Sequence, residues 1–407
     1  MKILLFSQYF WPENFRINDI AIFLKNKKYD LTVLTGRPSY PKKELYNKFY
    51  LNRSSFNKYK KIDVIRVPII ARKESNFLIF LNYISFFFSS IFFGISKLIK
   101  KNFDIIFVFT PSPILNAIPA IIIKKIFKIK LVIWVLDLWP NTLVDLNLIK
   151  NKYLIHIFKN LVRFIYNNAD IILVQSQSFR REINKISNTK CLYMPAWPED
   201  NIKNRKDIFA KEIKKKEKRL KIIFTGNIGQ AQDFDSLIKC AKILKHKKIV
   251  KWIIVGDGRW KNNLLQLIKS NNLQNDFQLI GNVPINRIGS FFNHADALFL
   301  SLKDEPTFKK TIPGKLQTYL STGKPIIAMI SGEAQKIIKI AKCGFVCDAG
   351  DFSSLAKNII IFNNTKNKRR KIFGINAKNY LKENFNKIKI LNNLNNILRK
   401  EVNNKKN

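Results

Sequence analysis

The chain has 407 residues, enough for two or three domains. Its 46% AVILMFWYC and 13% aromatic content exclude a disordered chain. Its 73 Lys and Arg against 28 Asp and Glu leave a net charge of +45, which suggests a polyanionic partner, either nucleic acid or an anionic membrane face; AT-rich coding, which favours Lys, Asn, Ile and Phe, is a competing source of the same charge.

The apolar run Ile3–Phe6 predicts a buried strand, followed by a polar loop over 8–16 and a helix over 17–24. A strand over 31–34 closes at Gly36 and Pro38. Then come strand 62–67, helix 77–99, strand 104–109, helix 114–127, strand 130–136, helix 151–167, strand 170–174 and helix 177–186. Strands alternating with helices predict a parallel sheet covered on both faces. Pro195, Trp197 and Pro198 with the charged run to Lys218 break the rhythm, so 195–219 reads as a linker. A second series follows: strands at 221–225, 251–255, 277–280, 296–300, 325–329 and 344–347, with helices at 234–245, 259–271, 285–293, 314–322 and 333–341. The expected architecture is α/β, with two doubly wound, Rossmann-like domains over 1–194 and 220–383, their strand ends facing a cleft, and a helical tail over 384–407.

Cys191, Cys240, Cys343 and Cys347 make no disulfide framework or zinc set, and the three histidines are far apart. No metal site is expected. Met1-Lys2 leads through a short apolar run into Ser7-Gln8, which is not the pattern of a signal peptide.

Three strand ends of the second domain carry glycines. Gly226-Asn227-Ile228-Gly229 follows one strand and Gly256-Asp257-Gly258 the next. Pro313-Gly314-Lys315 opens a helix, where free N–H groups, the dipole and the ammonium suit a diphosphate. Each alone is also what a tight turn requires. In the first domain, Trp11, Glu13, Asn14, Arg16 and Asn18 crowd the loop after the first strand and would suit a sugar; a Trp-anchored loop is the plainer alternative. Asp137, after the strand 130–136, could orient a hydroxyl or accept its proton, or cap a turn.

Residues 77–96 hold no charge, and Lys97, Lys100 and Lys101 follow. The length permits a bilayer span. Asn82, four serines and a position between two strands of one sheet count against it. Two readings stay open: a buried helix, or an interfacial helix with part of its aromatic face in lipid.

Together these motifs resemble glycosyltransferase family 4 of the GT-B fold, nearest the branch that transfers N-acetyl-L-fucosamine and related sugars in bacterial O-antigen or capsule assembly. The resemblance runs from Lys2–Glu13 through Leu34-Thr35-Gly36, Pro38 and Tyr40-Pro41, Asp137–Pro140, Gly226–Gly229 with Gln232-Asp233, Gly256–Gly258 and Ile312–Gln317, to Gly323-Lys324-Pro325. It implies metal-independent, retaining transfer from a nucleotide-sugar donor to a lipid-linked saccharide acceptor, with no cofactor, in the cytoplasm on the inner face of the plasma membrane. It puts the donor at Gly226, Asn227, Gly256, Gly258, Pro313, Gly314, Lys315, Gln317 and Thr318, the acceptor at the 11–18 loop, and Asp137 near the reacting sugar. Two departures stand out. Lys310 and Thr318 occupy the places of two glutamates common in the family, and Asn227 and Gln232 those of an Arg and a Lys. Gln317 or Thr318 is the candidate replacement for the ribose contact, and Glu305 is a candidate to reach the site. Competing functions are a basic nucleic-acid-binding protein, though no specific nucleic acid is expected, and a nucleotide-sugar epimerase of the same fold.

Overall fold

The computed structural model describes residues 1–39, 43–72, 75–200, 202, 208–213 and 217–404. Tyr40-Pro41 and, within 195–219, residues 201, 203–207 and 214–216 lie outside them. Two compact units result: Met1–Pro195 together with Ile388–Asn407, and Ala196–Lys387. The last helix, Lys387–Asn403, therefore joins the first unit rather than forming a separate tail.

In the first unit, strands β1 (Lys2–Phe6), β2 (Asp30–Gly36), β3 (Lys58–Tyr59), β4 (Ile62–Val67), β5 (Ile105–Thr110), β6 (Lys130–Val135), β7 (Ile171–Val174) and β8 (Lys190–Tyr193) form one sheet in the order β3-β4-β2-β1-β5-β6-β7-β8. Every pairing is parallel except β3 with β4. β5, Ile-Ile-Phe-Val-Phe-Thr, is buried throughout because helices cover both faces of the sheet. The sequence pattern misses β3 and β8, which are short, lie at the two sheet edges and are only partly buried. The predicted helix 77–99 is an α-helix over Asn76–Ser89, a wider π turn over Ser90–Gly94, and an α turn to Leu98. At the π turn Gly94 lies against Leu34, where a Cβ would approach the leucine to 2.9 Å.

In the second unit, β9 (Leu220–Thr225), β10 (Val250–Val255), β11 (Phe277–Gly281), β12 (Ala297–Ser301), β13 (Ile326–Met329) and β14 (Gly344–Cys347) are all parallel, in the order β11-β10-β9-β12-β13-β14. Counted from β9 this is the order 3-2-1-4-5-6 of dinucleotide-binding sheets, with the chain reversing direction between β9 and β12. Crevices outside the carboxyl ends of strands at such a reversal are where these sheets take ligands. At the far edge, β14 borders a cavity of about 660 Å³ rimmed by Lys339, Lys342, Lys366, Lys368 and Arg369. All four cysteines are free and buried.

Candidate functional site

The reversal point of the second unit gathers residues that are far apart in sequence. β9 ends at Thr225, whose N–H donates to the Tyr319 hydroxyl (3.0 Å). Gly226 follows with φ +121°, which a side chain would strain. A Cβ there would lie 3.6 Å from Lys315 Cδ and Nζ, so Lys315 lies over the Gly226 backbone. The Lys315 ammonium is 4.8 Å from the centre of the Phe224 ring. No carboxylate pairs with it among the described residues, and burial lowers its pKa to about 8. Lys315 is the second residue of the helix Gly314–Thr322; Pro313 precedes it and supplies no side-chain cap. An ammonium beside an uncapped helix start and a bare glycine backbone can accept a phosphate.

Gly256 and Gly258 do a different task. Gly256 has φ +147°, and its Cβ would come within 1.9 Å of the Gly226 carbonyl oxygen; at Gly258 a Cβ would meet the Ile228 carbonyl oxygen at 2.3 Å. The two loops are laced by Gly226 N–H to Val255 O (2.9 Å), Ile228 N–H to Asp257 O (2.8 Å) and Trp260 N–H to Ile228 O (3.0 Å). These glycines let the β9 and β10 loops touch. The exposed Asn227 side chain lies against the positions where side chains of Gly229 and Gly258 would project.

The expected replacements for the ribose contact are turned inward. Gln317 has no exposed surface, and its amide nitrogen, in the orientation that satisfies it, reaches the carbonyls of Pro313 (3.0 Å) and Gly314 (3.2 Å). The Thr318 hydroxyl donates to Gly314 O (3.3 Å). Glu305 stands immediately before the short helix Pro306–Lys310 and is half-buried. Sequence reasoning missed Tyr319 and Phe224. The signal was there: Tyr319 falls four residues after Lys315, on the same helix face.

In the first unit, the loop after β1 leaves the sheet where it also reverses, between β1 and β5, and runs into the helix Arg16–Asn26, whose first turn holds Arg16 and Asn18. Trp11 stacks on Phe56 (5.3 Å) and Tyr59 (5.0 Å). Glu13 is buried, and its carboxylate accepts the N–H groups of Phe10 (3.3 Å) and Ser39 (2.9 Å). Asn18 accepts the Trp11 N–H (3.0 Å) and donates to Glu13 O (2.7 Å). Buried Arg66, which the sequence did not mark, donates to the carbonyls of Phe56, Gly36 and Trp11. Glu13, Asn18 and Arg66 thus shape the loop, whereas Asn14 is exposed and Arg16 half-buried at its rim.

Asp137 follows β6 and is half-buried. Burial raises its pKa, against the pull of hydrogen bonds from Thr142, Trp139, the Leu138 N–H and Ser112. The Thr142 hydroxyl donates to Oδ1 at 2.5 Å. Trp139 Nε1 donates to the Ser112 hydroxyl (3.1 Å), tying the β6 loop to the β5 loop. A carboxyl with a raised pKa at a strand end can exchange a proton with, or orient, a sugar hydroxyl. Among the described residues no group of three or more His, Cys, Asp or Glu could hold a metal ion.

Residues 205–380 match the family model described as glycosyl transferases group 1. The 2-deoxystreptamine N-acetyl-D-glucosaminyltransferase of Niallia circulans is 26% identical over 136 residues, 33% of this chain and 34% of that protein. An uncharacterised glycosyltransferase of Methanocaldococcus jannaschii is 28% identical over 360 residues, 86% of this chain and 78% of its own. The match thus spans about a third of the first relative and over three quarters of the second. The solved structure of Anabaena HepE, in complex with UDP, superposes with a TM-score of 0.68 at 15% identity, covering 98% of this chain and all of that one. The fold is that of the GT-B glycosyltransferases.

Proposed function

We propose that this chain, whose second unit carries the group 1 glycosyl transferase match, moves a sugar from a nucleoside-diphosphate donor to a saccharide acceptor. The observation that carries the reading is the Lys315 ammonium. It lies over Gly226 at the reversal point of the second sheet, with no carboxylate paired to it among the described residues. A diphosphate there gains a charge-assisted contact and the helix dipole. The positive charge is the protein's own, so the reading includes metal-independent transfer. Asp137 supplies the carboxyl on the acceptor unit. In keeping with the resemblance in the sequence, transfer retains the anomeric configuration, and the acceptor is a lipid-linked saccharide of a surface polysaccharide.

The test is titration with UDP, GDP and dTDP in the presence of EDTA. One of them binds, and Lys315→Ala weakens it by about 1.5–3 kcal/mol, the scale of a hydrogen bond to a charged group. Equal affinities for mutant and wild type would remove Lys315 from the site, and no binding of any nucleoside diphosphate would overturn the reading. Incubation with a nucleotide sugar that returns the sugar inverted at one centre, with no acceptor product, would favour the epimerase alternative instead.

A further inference from the structure

The first unit exposes large apolar side chains on adjoining helices. Helix 76–98 turns Asn82 inward, where Gln8 Nε2 donates to Asn82 Oδ1 (2.7 Å) and Asn82 Nδ2 donates to Ile70 O (2.6 Å). Phe86, Ser90 and Leu98 are buried with it. The opposite face is left outside: Phe80 and Phe88 are at least half exposed and Phe92 is 68% exposed. Only 22% of the 18-residue apolar window within Phe77–Leu98 is buried, although it is as apolar as a bilayer span. A core helix would hide most of it.

Helix Ile118–Phe127 packs against both this helix and helix Lys152–Asn168. The first turns of the latter, Lys152 to Leu161, contain no buried residue, yet they carry Tyr153 (82% exposed), Leu154 and Ile157. The same half-helix is joined to the Asp137 loop, since the Phe158 ring meets Trp139 at 6.0 Å. These three helices hold no Asp or Glu, but they bring Lys97, Lys125, Lys152 and Lys159.

We propose that this helical layer is a membrane-docking face, which lays Phe80, Phe88, Phe92, Tyr153, Leu154 and Ile157 into the interface of an anionic bilayer. The charge selects the occupant. A symmetric pair of copies would set this acid-free cationic face against itself. Anionic headgroups complement it, and the exposed rings and aliphatic chains suit the boundary between headgroups and acyl chains. A span is not required, because the buried face with Asn82 stays on the sheet. Docking in this orientation would bring the Asp137 loop to the lipid surface. The proposal stands apart from the transferase reading, and its readout does not use activity.

The test is flotation of the full chain with phosphatidylglycerol-containing vesicles and with phosphatidylcholine vesicles, at low and high salt. Wild type floats with the anionic vesicles at low salt, and less with neutral vesicles or at high salt. Phe80→Ser with Phe92→Ser, and separately Tyr153→Ser with Ile157→Ser, each cut the bound fraction about ten-fold or more and leave Tm unchanged, because these side chains are already in water. The pairs lie on different helices, so if one fails to fold the other decides. Wild type left at the bottom with anionic vesicles overturns the proposal, as do folded variants that float like wild type. So does a stable dimer by light scattering that the same substitutions dissolve.

Discussion

Lys315 ties sequence to chemistry through its proton. Burial holds its pKa at about 8, against 10.5 for an ordinary lysine. Between those values the unfolded chain binds the proton and the folded chain does not, so folding stability rises with pH across that window. Diphosphate binding has the opposite demand, because only the ammonium form pairs with it. Affinity is therefore highest below pH 8 and falls as the pH rises through 8, with proton uptake on binding; calorimetry in buffers of different ionisation enthalpy reads both. In Lys315→Ala the fall disappears. Asp137 is tested by Asp137→Asn, which keeps the shape. We expect kcat to drop by about 10²–10⁴ with donor affinity unchanged, and a loss within a factor of about two would remove it from the reaction. The place of Lys315 at a helix start was legible because Pro-Gly-Lys before an apolar helix has a physical meaning on its own. The inward turn of Gln317 and the commitment of Glu13 to two backbone amides were not, because sequence shows residue types and not which way they face.

Strands and the helices between them were legible from buried apolar runs such as Ile105–Phe109. Elements that bury little were not: β8 offers only Lys190-Cys191-Leu192-Tyr193, and the five-residue helix Pro306–Lys310 is too short for a periodic pattern. The glycine loops were found as loops, but their purpose appears only in three dimensions, where the β9 and β10 turns touch. Gly256→Ala tests that purpose. The methyl group would meet the Gly226 carbonyl at a backbone angle that L-residues avoid. We expect a loss of about 2 kcal/mol or more in urea unfolding, together with weaker nucleoside-diphosphate binding, because Gly226 must move. Unchanged stability would mean that the two loops separate without cost.

At the scale of the molecule, the last helix runs back to the unit on which the chain began. It buries Leu391, Leu394 and Leu398, and Tyr29 donates to Asn395 Oδ1 (2.7 Å). Its amphipathic pattern foretold a docked helix but held no sign of which core would receive it. The excess charge has a local consequence too. Among the described residues β14 pairs on one side only, with β13, and its other edge is a template on which another copy of the chain can extend the sheet. The cations of Lys339, Lys342, Lys366, Lys368 and Arg369 stand beside that edge, so two such edges approaching each other must bring like charges within a Debye length of about 8 Å at physiological salt. The basic rim thereby acts as a barrier to fibrous or amorphous self-assembly. Lys342→Ser, Lys368→Ser and Arg369→Ser combined should make the protein scatter light at salt concentrations where the native chain stays clear, with Tm little altered; equal clarity would mean that the edge is guarded by shape. Whatever its origin, the excess of positive charge would then keep a crowded, concentrated chain from sticking to its own kind.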